Sequence, residues 1–388
     1  MLRKKIKSVV LFTFAPLLLS GVLAWETYAQ QPPPRDAIEG LDPVMLAQGK
    51  EEQGEMNITV TRGQFRYMFA NAANKAAFDQ DPARYEIQLN GACARMGAPV
   101  GGNPDLYAVH KGRIYIFGSA NCKTLFVAAP EKYLDSGAAA SVTAAATPEA
   151  LKRGQALIDK AVAAMGGAAK IDGLTSYREQ SVSPQIRGHG DEPRIEVKVN
   201  TDLLIVFPDR IRMEQSMPDF RDRSVTMRQT LVMLPGEEFG LGPRGVFNVQ
   251  KSFRDSEEKR IRRQPLFLLR ARGQQGFKAV ELGKGKIGEA ECERVVVTWD
   301  GADYELGGDP ATGRILSLSY KRRGQQGNFG DFVQSFSDFR AVNGLTLPFK
   351  VTATFDGQPW QDQSSTVETI VVNGAIDPAL FEKPKQGQ

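Results

Sequence analysis

Apolar and polar residues alternate along much of this chain, and that alternation is the first guide to its fold. In the N-terminal part, "MNITVT" and "QFRYMF" read as two strands joined at Arg62-Gly63. "LYAVHKGRIYIF" alternates on both sides of a two-residue turn at Lys111-Gly112, the pattern of a β-hairpin. Helical spacing intervenes in "NAANKAAFDQDPARY", which places Ala72, Ala76, Ala77 and Phe78 on an inner side and stops before Pro82. "NCKTLFVAAPEKYL" reads as a closing helix that Pro130 bends or interrupts.

The pattern then lapses in "SGAAASVTAAATPEA", where Val142 is the lone bulky apolar residue, and a domain boundary is expected there. A helix follows. Thr147 caps it, Pro148 suits its first turn, and Gly166-Gly167 ends it. Leu151, Leu157, Ile158, Ala161, Val162 and Met165 form its apolar stripe. Beyond it come strand-like segments, among them "RIEVKVNTDLLIVF", "RIRMEQSM", "ECERVVVTWD" and "LPFKVTATF". One helical insert is expected near Ser256–Arg270, where Leu266, Leu268 and Leu269 cluster. Ile205, Phe207, Ile211, Met213, Met217, Val232 and Met233 are inward-facing by pattern. The fold class is α+β, with a curved antiparallel sheet or open half-barrel covered by helices.

The N-terminus changes the picture of where the chain works. Arg3, Lys4, Lys5 and Lys7 precede an apolar run from Val9 to Trp25, and Thr27-Tyr28-Ala29 offers a small residue for cleavage. That order predicts a secretory signal peptide over 1–29, or an N-terminal membrane anchor if the leader stays uncleaved. The expected location is periplasmic or secreted, with membrane contact only through this segment. The organisation that follows is a Gln/Pro-rich flexible tether over 30–40, a first domain over 41–135, an Ala/Ser/Thr linker over 136–147 and a second domain over 148–388. The leader carries four of the 49 basic residues and one of the 45 acidic ones, so the net charge of +4 falls to +1 without it. No electrostatic case for nucleic acid remains. "KRIRR" at 259–263 reads as a solvated helix face. Nothing in the sequence signals an oligomeric state.

Few residues look reactive. "GLGPRG" (240–245) and "GKGKIG" (283–288) match G-x-G-x-x-G, but neither leads into a helix N-terminus that would hold a pyrophosphate, so both read as turns. The two histidines, His110 and His189, lie beside a tight turn and in a loop. Carboxylates are plentiful, and a hydrolase built on an unrecognised pair of them is one alternative. The soft donors are more informative. Met45, Cys93, Met96 and Cys122 all fall in the first domain, and thiolate and thioether groups favour Cu(I). In an oxidising compartment Cys93 and Cys122 are equally candidates for a disulfide or for buried free thiols.

The first domain resembles the YHS domain family through "LDPVMLAQGK" (41–50), "FRYMFANAANKAAFDQDPARYEIQLNGACA" (65–94) and "DLYAVHKGRIYIF" (105–117). The resemblance implies a small α/β module, which in some relatives handles metal. In metal-associated members a cysteine follows Asp-Pro-Val, and here that position is Met45. The second domain resembles the lipoprotein-carrier (LolA/LolB-like) half-barrels through "LIDKAVAAMGGAAKIDGLTSY", "VFPDRIRMEQ" and "FSDFRAVNGLTLPFKVTATFDG". This resemblance implies a concave apolar face for acyl chains. The leading expectation is thus a periplasmic, non-enzymatic binding protein for a lipid or other apolar small molecule. The main alternative is a copper-handling or redox module using Cys93, Cys122, Met45 and Met96.

Overall fold

The computed structural model describes residues 33–97, 100–134, 145–187, 195–219, 222–249 and 251–384. The expected leader, most of the expected linker and His189 lie outside the described residues. No helix among the described residues is long and apolar enough to cross a membrane. Contacts divide the chain into two units: residues up to Gly91 with Asn103–Ile116, and Ala92–Gly102 with Phe117 onward.

In the first unit β1 (Arg35–Asp36) pairs in parallel with β3 (Phe65–Phe69), and β2 (Glu55–Arg62) pairs antiparallel on its other side. Ala37 and Ile38 are fully buried, so the tether expected over 30–40 has given way to packed structure by residue 35. The Asp-Pro-Val stretch starts helix α1 (Pro43–Ala47). Asp42 is fully buried, and its carboxylate accepts from Val44 N (2.8 Å), Met45 N (3.2 Å), Ala70 N (2.8 Å) and Asn74 Nδ2 (2.7 Å). It therefore caps one helix and ties it to the end of β3 and to α2 (Ala72–Gln80). Phe78 of α2 is fully buried against Tyr67 and Phe69, with ring centroids 5.0 and 5.2 Å away. Ala72 and Ala76, expected on the inner side, are exposed, because one aromatic ring fills the short contact. After α3 (Pro82–Tyr85) the expected hairpin forms from β4 (Asn103–His110) and β5 (Arg113–Phe117). Its turn residues Lys111 and Gly112 both adopt positive φ, as a two-residue hairpin turn requires.

The second unit also holds α4 (Ala120–Ala128). Arg323 donates to the carbonyls of Ala94 and Arg95 (3.2 and 2.7 Å), so the 92–102 segment groups with this unit although the sequence placed it in the 41–135 domain. Helix α5 (Pro148–Met165) starts at Thr147, whose hydroxyl accepts from Ala150 N, and stops where Gly166 and Gly167 take positive φ. A short α6 (Ala168–Asp172) follows.

The remaining strands form one antiparallel sheet of fourteen. Strands β6 (Ser176–Arg187), β7 (Ile195–Val206), β8 (Arg210–Pro218), β9 (Thr226–Leu234), β10 (Glu237–Gly242) and β11 (Gly245–Phe247) run outward in sequence order. Strands β12 (Lys278–Ile287), β13 (Ala290–Trp299), β14 (Ala302–Gly308), β15 (Ile315–Arg323), β16 (Phe329–Val342) and β17 (Leu345–Phe355) run inward from the opposite edge. The short β18 (Gln358–Pro359) pairs beside β17, and β19 (Ser365–Val372) joins the two halves between β6 and β17. The chain therefore crosses from one sheet edge to the other between β11 and β12. That crossing carries α7 (Lys251–Arg262) and α8 (Pro265–Arg270), the expected helical insert.

Side chains from one sheet face, with α5 and α8, form the main core. Leu203 and Ile205 point into it, whereas Leu204 and Val232 pack on the opposite face with Phe239 and Phe381. Val232 thus departs from the inward expectation, while Ile205, Ile211, Met213 and Met233 meet it. "GKGKIG" is not a turn between strands. Most of it lies in β12, where the register shifts between Glu281 and Gly283 as at a bulge.

Candidate functional site

A cavity of about 360 Å³ opens on the core face of the large sheet, bounded by α5, α7 and α8. Strand alternation sets its lining. On β6 every second residue, Tyr177, Glu179, Ser181, Ser183 and Gln185, faces it. On β16 the contributors are Phe332, Gln334 and Phe336. Sheet register shows that its two ends differ. Leu203 pairs with Met213 across β7 and β8, and these sit with Met165, Leu266 and Leu347 at one end, where Glu179 pairs with Leu203 from β6 and Arg260 Nη2 donates to Met213 Sδ at 3.1 Å. Two residues further along, Thr201 pairs with Gln215, beside Ser181 on β6. At that same end β15 contributes Tyr320 and Arg322 opposite Phe332 and Gly330 of β16. Apolar and polar side chains occur at both ends, and the ends differ in that Arg263 and Arg322 lie against aromatic rings at the Tyr320 end.

The acids that line it are each engaged. Glu257 pairs with Arg260 at 2.9 Å. Asp362 accepts from the backbone of Ile186 at 2.9 Å. Glu179 receives the Tyr177 hydroxyl at 2.5 Å. Burial pushes the Glu179 carboxyl above its usual range, against the Tyr177 hydrogen bond, the Arg260 charge and Ser181. Burial also carries the Tyr177 phenol well above its ordinary value.

Two arginines in the wall have aromatic rather than acidic neighbours. The Arg263 guanidinium carbon lies 4.4 Å from the Tyr320 ring centre and 5.7 Å from that of Tyr304. Arg322 lies 4.8 Å from Phe332 and 4.9 Å from Trp360, and donates to Gln363 Oε1 at 3.2 Å. Arg263 belongs to the basic run expected as a solvated face. Instead its Nε is buried without a hydrogen-bond partner among the described residues. The sequence reading missed Arg263, Arg322 and Glu179. For Glu179 and Arg322, alternation with Tyr177 and Tyr320 was a usable signal.

The soft donors named from the sequence are partly brought together. Cys93, Cys122 and Cys292 are buried free thiols. Cys93 lies close enough to Cys122 to help lower the pKa of its thiol. Arg95 Nη1 donates to Met96 Sδ at 3.3 Å and to Cys122 Sγ at 3.9 Å. Cys122 occupies the first turn of α4, where its backbone N–H donates to the Ser119 hydroxyl at 3.2 Å. Burial pushes the Cys122 thiol up, but hydrogen bonds from Ser119, Arg95 and Cys93 and the Arg95 charge outweigh it and leave it below its usual range. Met45 is half-buried on α1 of the other unit. The sulfurs of Cys122 and Met96 thus face the Arg95 guanidinium. No group of three or more His, Cys, Asp or Glu suited to a metal occurs among the described residues.

No protein-family model matches the chain, and no curated protein does. Solved structures do. One is a Desulfovibrio piger protein of the DUF1329 family, at 12% identity over 59% of this chain and 97% of that one, TM-score 0.37. Another is a domain from Vibrio parahaemolyticus described as an outer membrane lipoprotein-sorting protein, at 12% identity over 60% and 97%, TM-score 0.36. A third is a LolA superfamily protein from Nitrosomonas europaea, at 9% identity over 59% and 97%, TM-score 0.34.

Proposed function

We propose that the chain is an exported, periplasmic binding protein whose half-barrel takes up a lipid or other apolar ligand in the cavity of the large sheet. The observation that carries this reading is the cavity itself: about 360 Å³ on the core face of the sheet, beside the edge-to-edge helices. Its size falls in the roughly 300–1,000 Å³ of small-molecule sites. Solvent extraction of the natively expressed protein, followed by mass spectrometry, tests it directly. The expected result is a co-purifying lipid. With alkyl ligands of increasing length, affinity should rise about fourfold per added methylene until the cavity is full. No extracted lipid and no alkyl binding would refute the reading.

A second reading rests on the Cys93–Cys122 contact. In an oxidising compartment this dithiol passes two electrons and two protons to an external disulfide or similar oxidant and closes to a disulfide. Thiol counting with elemental analysis separates the cases. Loss of both thiols without metal supports the disulfide, bound copper supports the metal-handling form, and two permanently free thiols without metal remove both.

A further inference from the structure

Resting on the half-barrel reading, we infer that the cavity selects anionic amphiphiles, with Arg322 and Arg263 binding an acidic head group and the Leu203, Met213 and Leu347 side chains lying along the alkyl chain.

The argument begins with charge. Of the cations in the wall, Arg260 is matched by Glu257. Among the described residues, Arg263 and Arg322 have no carboxylate partner, and their charges oppose each other. A guanidinium held in a protein wall is costly unless it is paired. Aromatic faces offset part of that cost: Tyr320 for Arg263, and Phe332 with Trp360 for Arg322. Stacking covers the flat faces of a guanidinium; Gln363 takes one N–H of Arg322 and the Tyr304 and Tyr320 hydroxyls engage Arg263, and the remaining N–H edge suits an in-plane acceptor. A carboxylate or phosphate fits that edge, an alcohol uses less of it, and a cation is repelled. Geometry adds the second part. Arg322 and its aromatic neighbours sit at one end of the cavity, and Leu203, Met213 and Leu347 sit at the other, where the cation Arg260 is matched by Glu257. One molecule with an acidic head and an apolar tail satisfies both ends.

The experiment uses the purified full-length protein and isothermal titration with decanoate, decyl phosphate, decanol, decyltrimethylammonium and inorganic phosphate. Decanoate or decyl phosphate should bind about tenfold or more tightly than decanol, as expected for charge-assisted hydrogen bonds. Decyltrimethylammonium should bind most weakly. Arg322→Gln and Arg263→Gln should each reduce the acid-over-alcohol ratio and leave decanol binding in place, which also shows that the variants fold. Arg322→Lys keeps the charge, loses the fork and should retain part of the ratio. Decanol binding as tightly as the acids, or a ratio unchanged in both glutamine variants, overturns the head-group inference while the cavity reading stands. Inorganic phosphate matching decyl phosphate overturns the amphiphile. Failure of every decyl compound to bind overturns the cavity reading and this inference with it.

Discussion

Replacing Gly154 with alanine tests how tightly α5 is seated on the sheet. Helix propensity alone favours the change, because glycine in a helix interior costs about 1 kcal/mol relative to alanine. The packing says otherwise. A Cβ at Gly154 would lie 2.3 Å from the Ala279 carbonyl oxygen, 2.5 Å from its carbon and 2.7 Å from Val280 N. These are backbone atoms of β12, and no side chain can rotate out of the way. To restore an ordinary contact of 3.4 Å the helix must withdraw by about 1 Å. The same helix buries Ile158, Ala161, Val162 and Met165 in the main core, so the withdrawal loosens all four. Overpacking of this kind costs about 1–3 kcal/mol. The net expectation is a loss of up to about 2 kcal/mol, or up to roughly 4–8 °C in Tm for a unit of this size. The tryptophans of the described residues, Trp299 and Trp360, both lie in this unit. With Trp25→Phe as background, thermal melting by tryptophan fluorescence reads it selectively. Gln155→Ala, on the exposed side of the same helix, should leave Tm within about a degree or two. A Gly154→Ala protein that melts above the parent temperature refutes the close seating.

Asp42→Ala leaves buried donors around α1 unpaired and should destabilise the N-terminal unit by about 3 kcal/mol or more, read by hydrogen exchange at Val44 and Ala70. Unchanged protection there contradicts the capping role. Glu179 holds its proton more tightly folded than unfolded, so its contribution to stability is complete below the ordinary carboxyl pKa and is lost as pH rises through the raised folded value. Glu179→Gln should flatten that decline above the ordinary carboxyl pKa and be the more stable protein at the upper end, by denaturation midpoint. Parallel curves for the two proteins would count against it. Cys122, held down by its hydrogen bonds and Arg95, should be alkylated at neutral pH before Cys292, whose thiol burial pushes up, with Arg95→Gln slowing the reaction. Peptide mapping showing Cys292 modified first would reverse the assignment.

Elements fixed by neighbouring residues were legible in the sequence. The Lys111-Gly112 hairpin and the α5 caps depend on a few adjacent positions, and they formed where the pattern put them. The inner residues of α2 were less legible, because what packs there is settled by Tyr67 and Phe69 on another element.

The candidate site was hidden for a related reason. "KRIRR" carries the composition of a solvated face, and nothing within that run distinguishes Arg263 from its neighbours. What distinguishes it is the crossing from β11 to β12. A chain that leaves one edge of an open sheet and must pair at the other has to span the sheet, and the face it spans collects whatever its helix presents. Here it meets Tyr304 and Tyr320 from two later strands. A lysine would lose the planar stacking that those rings offer, so arginine at 263 and 322 is a requirement of the aromatic wall rather than of surface charge. The same reasoning orders the two substitutions: Arg263→Lys should weaken stability and acidic-ligand binding together, whereas Lys259→Arg, on the exposed side of α7, should move neither by more than about 0.5 kcal/mol. Equal effects at the two positions, in melting and in decanoate titration, would mean that Arg263 is surface charge after all.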